Sequence, residues 1–318
     1  VNKMLDFEKA PFLELNNYRI PKNGDFIYVR MKDNKKIRLA YWKVINDHKN
    51  SAGTILLQHG HNEFIEKYYE TIQELLDRNF NVVCFDWRGQ GMSDRMIDNQ
   101  NKQYIEDFSI HMNDLNYIIN EIIKKHFPSP LFGIGHSMGG HLLLLHQEIN
   151  QDNFKSIVLS APMLGFKYEK FLFIIAFLSK FFLNKDGYFP FSRPNLGNET
   201  PFDENDLTSD YDRYTRTQRL VRKKPNIRLW GVTNAWVNAA KKSLKKIRKK
   251  EWCENIKTPI IIINPLNDKV VYSKKTQNLA KKLNNCEIFN FDKIEHEILM
   301  EKDEYRKNFW NIFDKLIN

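Results

Sequence analysis

Apolar positions in this chain gather into short continuous runs separated by stretches with helical patterning. The runs are TILLQ (54–58), NVVCF (81–85), PLFGIG (130–135), SIVLS (156–160) and IIIIN (260–264), with a less apolar one, EIFNF, at 287–291. None shows the apolar–polar alternation of a strand with one wet face, so they predict strands buried on both sides. The stretches between them, such as YYETIQELLDRN, MNDLNYIINEIIKKH and HLLLLHQEIN, read as helices. Ahead of the runs, DFIYVRM and KIRLAYWKV are joined by KDNK and predict an antiparallel hairpin. Apolar strands alternating with amphipathic helices imply an α/β fold with a mostly parallel central sheet and helices on both faces.

One interval breaks the alternation. Between Pro162 and about Gly231 there is no convincing strand, only an apolar helical stretch (FKYEKFLFIIAFLSKFFL) and a polar one punctuated by proline and glycine. The prediction is a helical cap at 162–231, inserted after the sixth strand into a core of 1–161 and 232–318. An insertion at that point would lie over the carboxyl ends of the strands, where ligands bind in open α/β sheets.

Composition changes this picture little. With 42% apolar and 28% charged residues over 318 positions, the chain is too apolar for disorder and long enough for a full core. Its formal net charge of +10 comes largely from KKSLKKIRKK at 241–250. On a helix, Trp236, Ala240, Leu244 and Ile247 share one face, leaving Lys241, Lys242, Lys245, Lys246, Arg248 and Lys249 around the rest. Such a surface is either simply solvated or held against an anionic membrane. Aromatic residues are not interleaved with the charges, so nucleic acid is not the expected partner. Cys84, Cys253 and Cys286 fit neither a disulfide framework nor a zinc site. The N-terminal stretch mixes acids with its apolar residues and is not read as a secretory signal. The longest apolar run, 171–178, falls short of the roughly 20 residues a spanning helix needs. The expected location is cytoplasmic, with peripheral contact at the inner face of the membrane.

The chemistry centres on GIGHSMGGH at 133–141. Gly133, Gly135 and Gly139 resemble a loosened dinucleotide fingerprint, but that reading wants an acid at the end of the next strand, which ends in SAP instead. The alternative is a nucleophile elbow. Ser137 follows a strand run and opens a helical one, and Gly135 and Gly139 leave room around a strained serine, with His136 completing the turn. The first amides of the new helix, Met138 among them, would face the oxygen on which negative charge develops. A second such amide is expected from the loop after TILLQ, where Gly60 turns the backbone inward and directs the N–H of His61; only that N–H is claimed, the ring being free to face solvent.

A serine nucleophile needs a base, and the base needs an orienting carboxylate. Asp268 lies just past IIIIN and His296 just past EIFNF, in the order serine, acid, histidine, each after its own strand. Asp268 alone would read as a turn or cap residue. The rival acids Asp292, Glu295 and Glu297 are too near His296 in the chain to point readily at its ring. No cofactor is implied, and no His and carboxylate cluster has metal-ligand spacing.

DWRGQGMSDR (86–95), GHSMGGH, NDKVV and HEILME, with RYTRTQRL and GVTNAWV in and beyond the inserted segment, resemble bacterial lysophospholipases and their monoacylglycerol lipase relatives in the α/β-hydrolase superfamily. The resemblance runs from about residue 7 to the end. It implies an α/β-hydrolase fold, a Ser137–Asp268–His296 triad with the amides of His61 and Met138 as oxyanion hole, and a structural, salt-bridging role for Arg88. Two departures stand out: histidines at His59 and His61 in the oxyanion loop, and His141 one helical turn past the serine. The activity expected is hydrolysis of a lysophospholipid ester through an acyl-enzyme. A monoacylglycerol lipase or short-chain carboxylesterase is the alternative, and a non-catalytic lipid-binding protein on the same scaffold the alternative outside enzymes. The apolar stretch of the cap would serve an acyl chain or the membrane interface, or pack on the core.

Overall fold

The six apolar runs become the parallel part of one nine-stranded sheet. The structure is a computed structural model and describes residues 7–44, 51–190, 192 and 200–317. The first six residues of the stretch read for a signal, and residues 191 and 193–199 of the predicted cap, lie outside them. The strands are β1 Glu8–Lys9, β2 Gly24–Arg30, β3 Lys36–Trp42, β4 Gly53–Gln58, β5 Phe80–Phe85, β6 Lys102–Gln103, β7 Leu131–His136, β8 Ser156–Ser160, β9 Gly231–Val232, β10 Ile260–Pro265 and β11 Cys286–Phe291. Their order in the large sheet is β1-β2-β3-β5-β4-β7-β8-β10-β11. From β5 to β11 all neighbours are parallel, while β1, β2 and β3 add an antiparallel edge.

The lack of alternation in the runs has a direct cause, because each run divides residue by residue between two cores. Leu56, Val83, Ile157 and Ile262 face one cluster, and Ile55, Leu57, Val82, Val158, Ile261 and Ile263 face the other. Each fully buried aliphatic side chain contributes about 1.5–3 kcal/mol relative to exposure, so the strand centres are aliphatic on both faces and the buried polar residues Thr54, Gln58, Asn81, Ser156 and Ser160 fall at or next to strand ends. Helices Tyr69–Asp77 and Asp303–Ile317 cover one face. Helices Ser109–Tyr117, Ser137–His146 and Asn234–Ile247 cover the other.

Between β8 and β10 no described residue joins the large sheet. The chain instead forms helix Glu169–Phe182 and helix Tyr211–Lys223, then pairs β9 with β6 in a separate two-stranded ribbon. Helix Glu169–Phe182 packs on helix Asn234–Ile247, whose Trp236, Ala240, Leu244 and Ile247 are buried as their shared face predicts.

Candidate active site

The site is built where β7 ends and a helix begins at once. Ser137 has φ of 49°, a left-handed conformation that costs a non-glycine residue about 1–3 kcal/mol and persists only where the surroundings enforce it. The enforcement comes from close packing. A Cβ on Gly135 would lie 2.7 Å from the Cα of Gly140, and one on Gly139 would lie 2.4 Å from the carbonyl oxygen of His59. Gly140, which the sequence reading passed over, is equally confined, since its Cβ would meet the Gly135 carbonyl at 2.8 Å. Gly133 sits further down the strand, against the Ile157 side chain of β8.

His296 and Asp268 meet directly: Nδ1 of His296 lies 2.6 Å from Oδ2 of Asp268, with both side chains buried. The other oxygen of Asp268 accepts the backbone N–H groups of Val270 and Val271 at 2.7 and 2.9 Å, which fixes the carboxylate. With a carboxylate on Nδ1, the ring carries its proton there and leaves Nε2 as the basic nitrogen. Burial works to lower the pKa of His296, but the charge and hydrogen bond of Asp268 outweigh it and hold the group above 6.5. The ring stands edge-on to His136, the residue before Ser137, at 4.7 Å between centroids. Of the rival acids, Glu297 turns its carboxylate to Lys67 instead.

The loop after β4 comes up against the serine, since a Cβ on Gly60 would lie 3.0 Å from that of Ser137. Several groups hold this loop. The Gly60 N–H donates to Glu63, the Asn62 N–H donates to Gln90 at 2.6 Å, and the indole of Trp87 donates to the His59 carbonyl at 2.9 Å. The side chain of Asn62 also exchanges two hydrogen bonds with the backbone of Leu229, at 2.6 and 3.0 Å. The ring of His61 is half-buried: it packs on Trp236 at 5.1 Å, its Nδ1 has no hydrogen-bond partner among the described residues, and burial pushes its pKa down to about 4. Met138 is fully buried at the first turn of the helix, where backbone N–H groups have no intrahelical acceptor.

Behind the loop lies a buried charge network that the sequence did not announce. Lys67 donates to Glu63 at 2.5 Å and to Glu297 at 2.6 Å, and the Tyr68 hydroxyl donates to Glu63 at 3.0 Å. Burial opposes each of these charges. The carboxylates nevertheless hold Lys67 above its ordinary pKa, and Lys67 in turn holds Glu63 below its own. Burial wins at Glu297 and raises it. Glu63, His136 and Glu297 also bring potential ligand atoms within 4.8 Å of one another, a convergence invisible in their spacing. The Lys67 ammonium already takes both carboxylates, so the donor set is that of an ion-pair network rather than a metal centre.

His141, unplaced by the sequence, turns away from the elbow: its Nε2 lies 2.5 Å from the hydroxyl of Ser243 and its ring packs on Phe108. Arg88 makes paired hydrogen bonds to Asp114, both at 2.7 Å, and reaches Asp33, in keeping with the structural role expected. The basic helix is less uniform than its sequence. Arg248 is drawn inward to Glu169 and the Leu164 carbonyl, and Lys241 donates to the Phe173 carbonyl at 2.7 Å, so neither stands out as a solvated charge. Lys246 pairs with Glu148 and Lys242 with Asp107, while Lys245 and Lys249 are exposed.

A parallel sheet with an antiparallel edge, a serine on a left-handed strand-to-helix turn and a histidine–carboxylate pair on later loops define an α/β-hydrolase. The chain belongs to the family described as Hydrolase_4, serine aminopeptidase S33, which matches residues 49–303. It is a serine hydrolase. It is 26% identical over 289 residues to a Haemophilus influenzae protein named "Probable lysophospholipase L2", covering 89% of this chain and 90% of that one. It is 28% identical to the monoglyceride lipase of Rattus norvegicus over 46% of each chain. Among solved structures, a soluble variant of Saccharomyces cerevisiae monoglyceride lipase superposes with a TM-score of 0.73 at 19% identity, over 95% of this chain and 99% of that one.

Proposed function

We propose that the protein hydrolyses the ester of a lysophospholipid while resting on a membrane, with monoacylglycerol as the alternative substrate. The observation that carries this reading is the outer face of helix Glu169–Phe182, where Phe171, Ile174, Phe177, Leu178, Phe181 and Phe182 are exposed, the last two by 68% and 80%. A contiguous apolar face of this kind on a water-soluble fold marks an interaction surface, and a lipid interface is the one that a fatty-acyl substrate offers. The near full-length similarity to a protein named a lysophospholipase supports the same substrate class. No helix among the described residues is long and apolar enough to cross a membrane. Contact would therefore be peripheral, and we infer the cytoplasmic face.

In this mechanism Ser137 Oγ attacks the ester carbonyl as His296 Nε2 takes its proton. The amides of His61 and Met138 stabilise the oxyanion, and His296 returns the proton to the leaving glycerol oxygen. Water activated by the same nitrogen then releases the fatty acid. Asp268 keeps the tautomer. Residues 162–231 act as a cap: the Glu297 N–H donates to the Leu207 carbonyl at 2.8 Å, and Leu229 bonds to Asn62, so this segment borders both site loops.

The test is hydrolysis of lysophosphatidylcholine, lysophosphatidylethanolamine, monoacylglycerol, a short nitrophenyl ester and an aminoacyl anilide, with Ser137→Ala as control. Release of fatty acid from a lysolipid, abolished in the variant, is expected. Activity confined to the short ester or the anilide overturns the lipid reading. A folded protein whose Ser137 resists a serine-directed phosphonate overturns the catalytic one.

A further inference from the structure

We propose that the cleft between helix Glu169–Phe182 and helix Asn234–Ile247 binds the glycerophosphate headgroup of an anionic membrane phospholipid, at a site separate from Ser137. The inference rests on the membrane contact proposed above. The cleft encloses about 660 Å³, and none of Ser137, Asp268 or His296 lines it.

Its walls have two characters. Phe177 and Leu183 form an apolar side, about half exposed and continuous with the outward face that carries Phe181 and Phe182. Lys241, Lys242 and Lys245 form the opposite side. A molecule matching both carries an acyl chain joined to an anion. A nucleic acid has no use for the apolar wall, and a free anion gains nothing from it.

The charges favour a phosphate. Four lysines line the cleft, the fourth being Lys185, against the two carboxylates Glu106 and Asp107. The pairs Lys242–Asp107 and Lys185–Glu106 are on the surface, with lysine side chains 76% and 74% exposed. Such pairs are worth about 0–1 kcal/mol, so their ammonium groups can turn to a phosphate at little cost. Lys241 is different: its ammonium lies 5.6 Å from the ring centroids of both Phe173 and Phe177, which fixes a positive charge at the boundary between the two walls.

The headgroup is narrowed by two acceptors. Asn238 donates its amide N–H to the Asn234 carbonyl, and Asn234 donates its own to Asn184, which orients both side chains. Both Oδ1 atoms are then enclosed without a donor among the described residues. Two acceptors beside a cationic rim suit a phosphate whose substituent carries hydroxyl donors, as in phosphatidylglycerol.

The experiment uses the Ser137→Ala protein and three sets of vesicles: phosphatidylcholine alone, phosphatidylcholine with phosphatidylglycerol, and phosphatidylcholine with an equal fraction of diacylglycerol succinate, which carries a carboxylate in place of the phosphate. Binding to the phosphatidylglycerol vesicles is expected to be about fivefold tighter than to the succinate vesicles, a difference of about 1 kcal/mol. The preference should vanish in the Lys242→Gln, Lys245→Gln double variant, and dihexanoyl phosphatidylglycerol below its micellar concentration should compete. Equal binding to both anionic vesicles overturns the headgroup site while leaving membrane docking intact. Absence of binding to all three overturns docking itself. Displacement by inorganic phosphate as effective as by the short lipid overturns the lipid as its occupant.

Discussion

Lys67 donates to Glu297 at 2.6 Å in a buried pair, joining the turn that follows the Gly60–Glu63 loop to the residue that follows His296. The same ammonium holds Glu63, which in turn accepts the N–H of Gly60. One charge therefore ties together the two loops that, in the mechanism proposed above, keep their spacing while charge develops on the substrate. Replacing Lys67 by Met leaves two buried carboxylates without a counter-ion. Unfolding in urea should show a loss of at least about 3 kcal/mol. In the surviving folded protein kcat should fall about tenfold, equivalent to ~1.4 kcal/mol of transition-state stabilisation. Unchanged stability would mean that the network is not closed as described.

Asp268→Asn tests the orienting role proposed for the carboxylate. An amide at this position can still accept from Val270 and Val271 but favours the wrong tautomer of His296, so kcat should drop by about 10⁴-fold with little change in the melting temperature. A drop smaller than tenfold would return the role to one of the neighbouring acids.

The charge state of His296 sets opposite trends in activity and stability. Its pKa lies above 6.5 in the folded protein because Asp268 more than offsets burial. In the mechanism proposed above the neutral ring is the base, so kcat/KM should rise with pH through a midpoint above 6.5. The stabilisation from the charged pair has the reverse sign: it is fully present below pH 6.5 and is lost as pH rises through the folded value. Comparing wild type with His296→Gln in urea should show a stability difference that shrinks toward alkaline pH. A difference that grows would contradict the assignment.

The fold was legible because burial on both sheet faces leaves a continuous apolar run, and SIVLS at 156–160 matches β8 residue for residue. Chain order brought Asp268 and His296 into consideration, since each follows a strand of the parallel sheet. What escaped notice depends on contacts between distant segments. Glu63 and Lys67 precede the helical stretch that begins at Tyr68, and nothing local says that they will meet each other or Glu297. His141 was unexplained because its partner, Ser243, sits on another helix. Arg248 looked solvated because Glu169, which draws it inward, belongs to the inserted segment. Two-residue strands such as β6 and β9 carry no periodic signal at all.

Acid should unfold the protein early. His111, His136 and His141 are buried and pushed down to about 3, and His61 and His146 to about 4, with burial the leading cause in each. Below their ordinary value of 6.5 the unfolded chain takes up five protons that the folded one refuses, so stability is full above that pH and falls as pH drops toward 4. Each group contributes about 1.4 kcal/mol per pH unit once protonated in the unfolded chain, so the five together reach about 6 kcal/mol per unit near pH 5. Urea midpoints measured between pH 7 and 4.5 should decline along that curve. A flat profile would mean that the imidazoles are charged or hydrated in the native state.

The glycines of GIGHSMGGH can be separated by substitution, and the result distinguishes an elbow from ordinary strand packing. A Cβ at Gly133 would meet the Cγ2 methyl of Ile157 at 2.9 Å, a side-chain rather than a backbone atom, so Gly133→Ala should cost about 1–2 kcal/mol of overpacking. At Gly139 the obstacles are backbone: the carbonyl oxygens of His59 and Gln58, at 2.4 and 2.6 Å. They belong to the end of β4 and the start of the oxyanion loop, and neither can retreat without moving β4 away from β7. Gly139→Ala should therefore cost about 3 kcal/mol or more. It should also displace the Met138 amide from the Gly60–His61 turn, so that kcat falls while KM for a short ester changes little. If the two variants prove equal in stability and turnover, the close approach of helix and loop at Gly139 is not what holds Ser137 in its left-handed conformation.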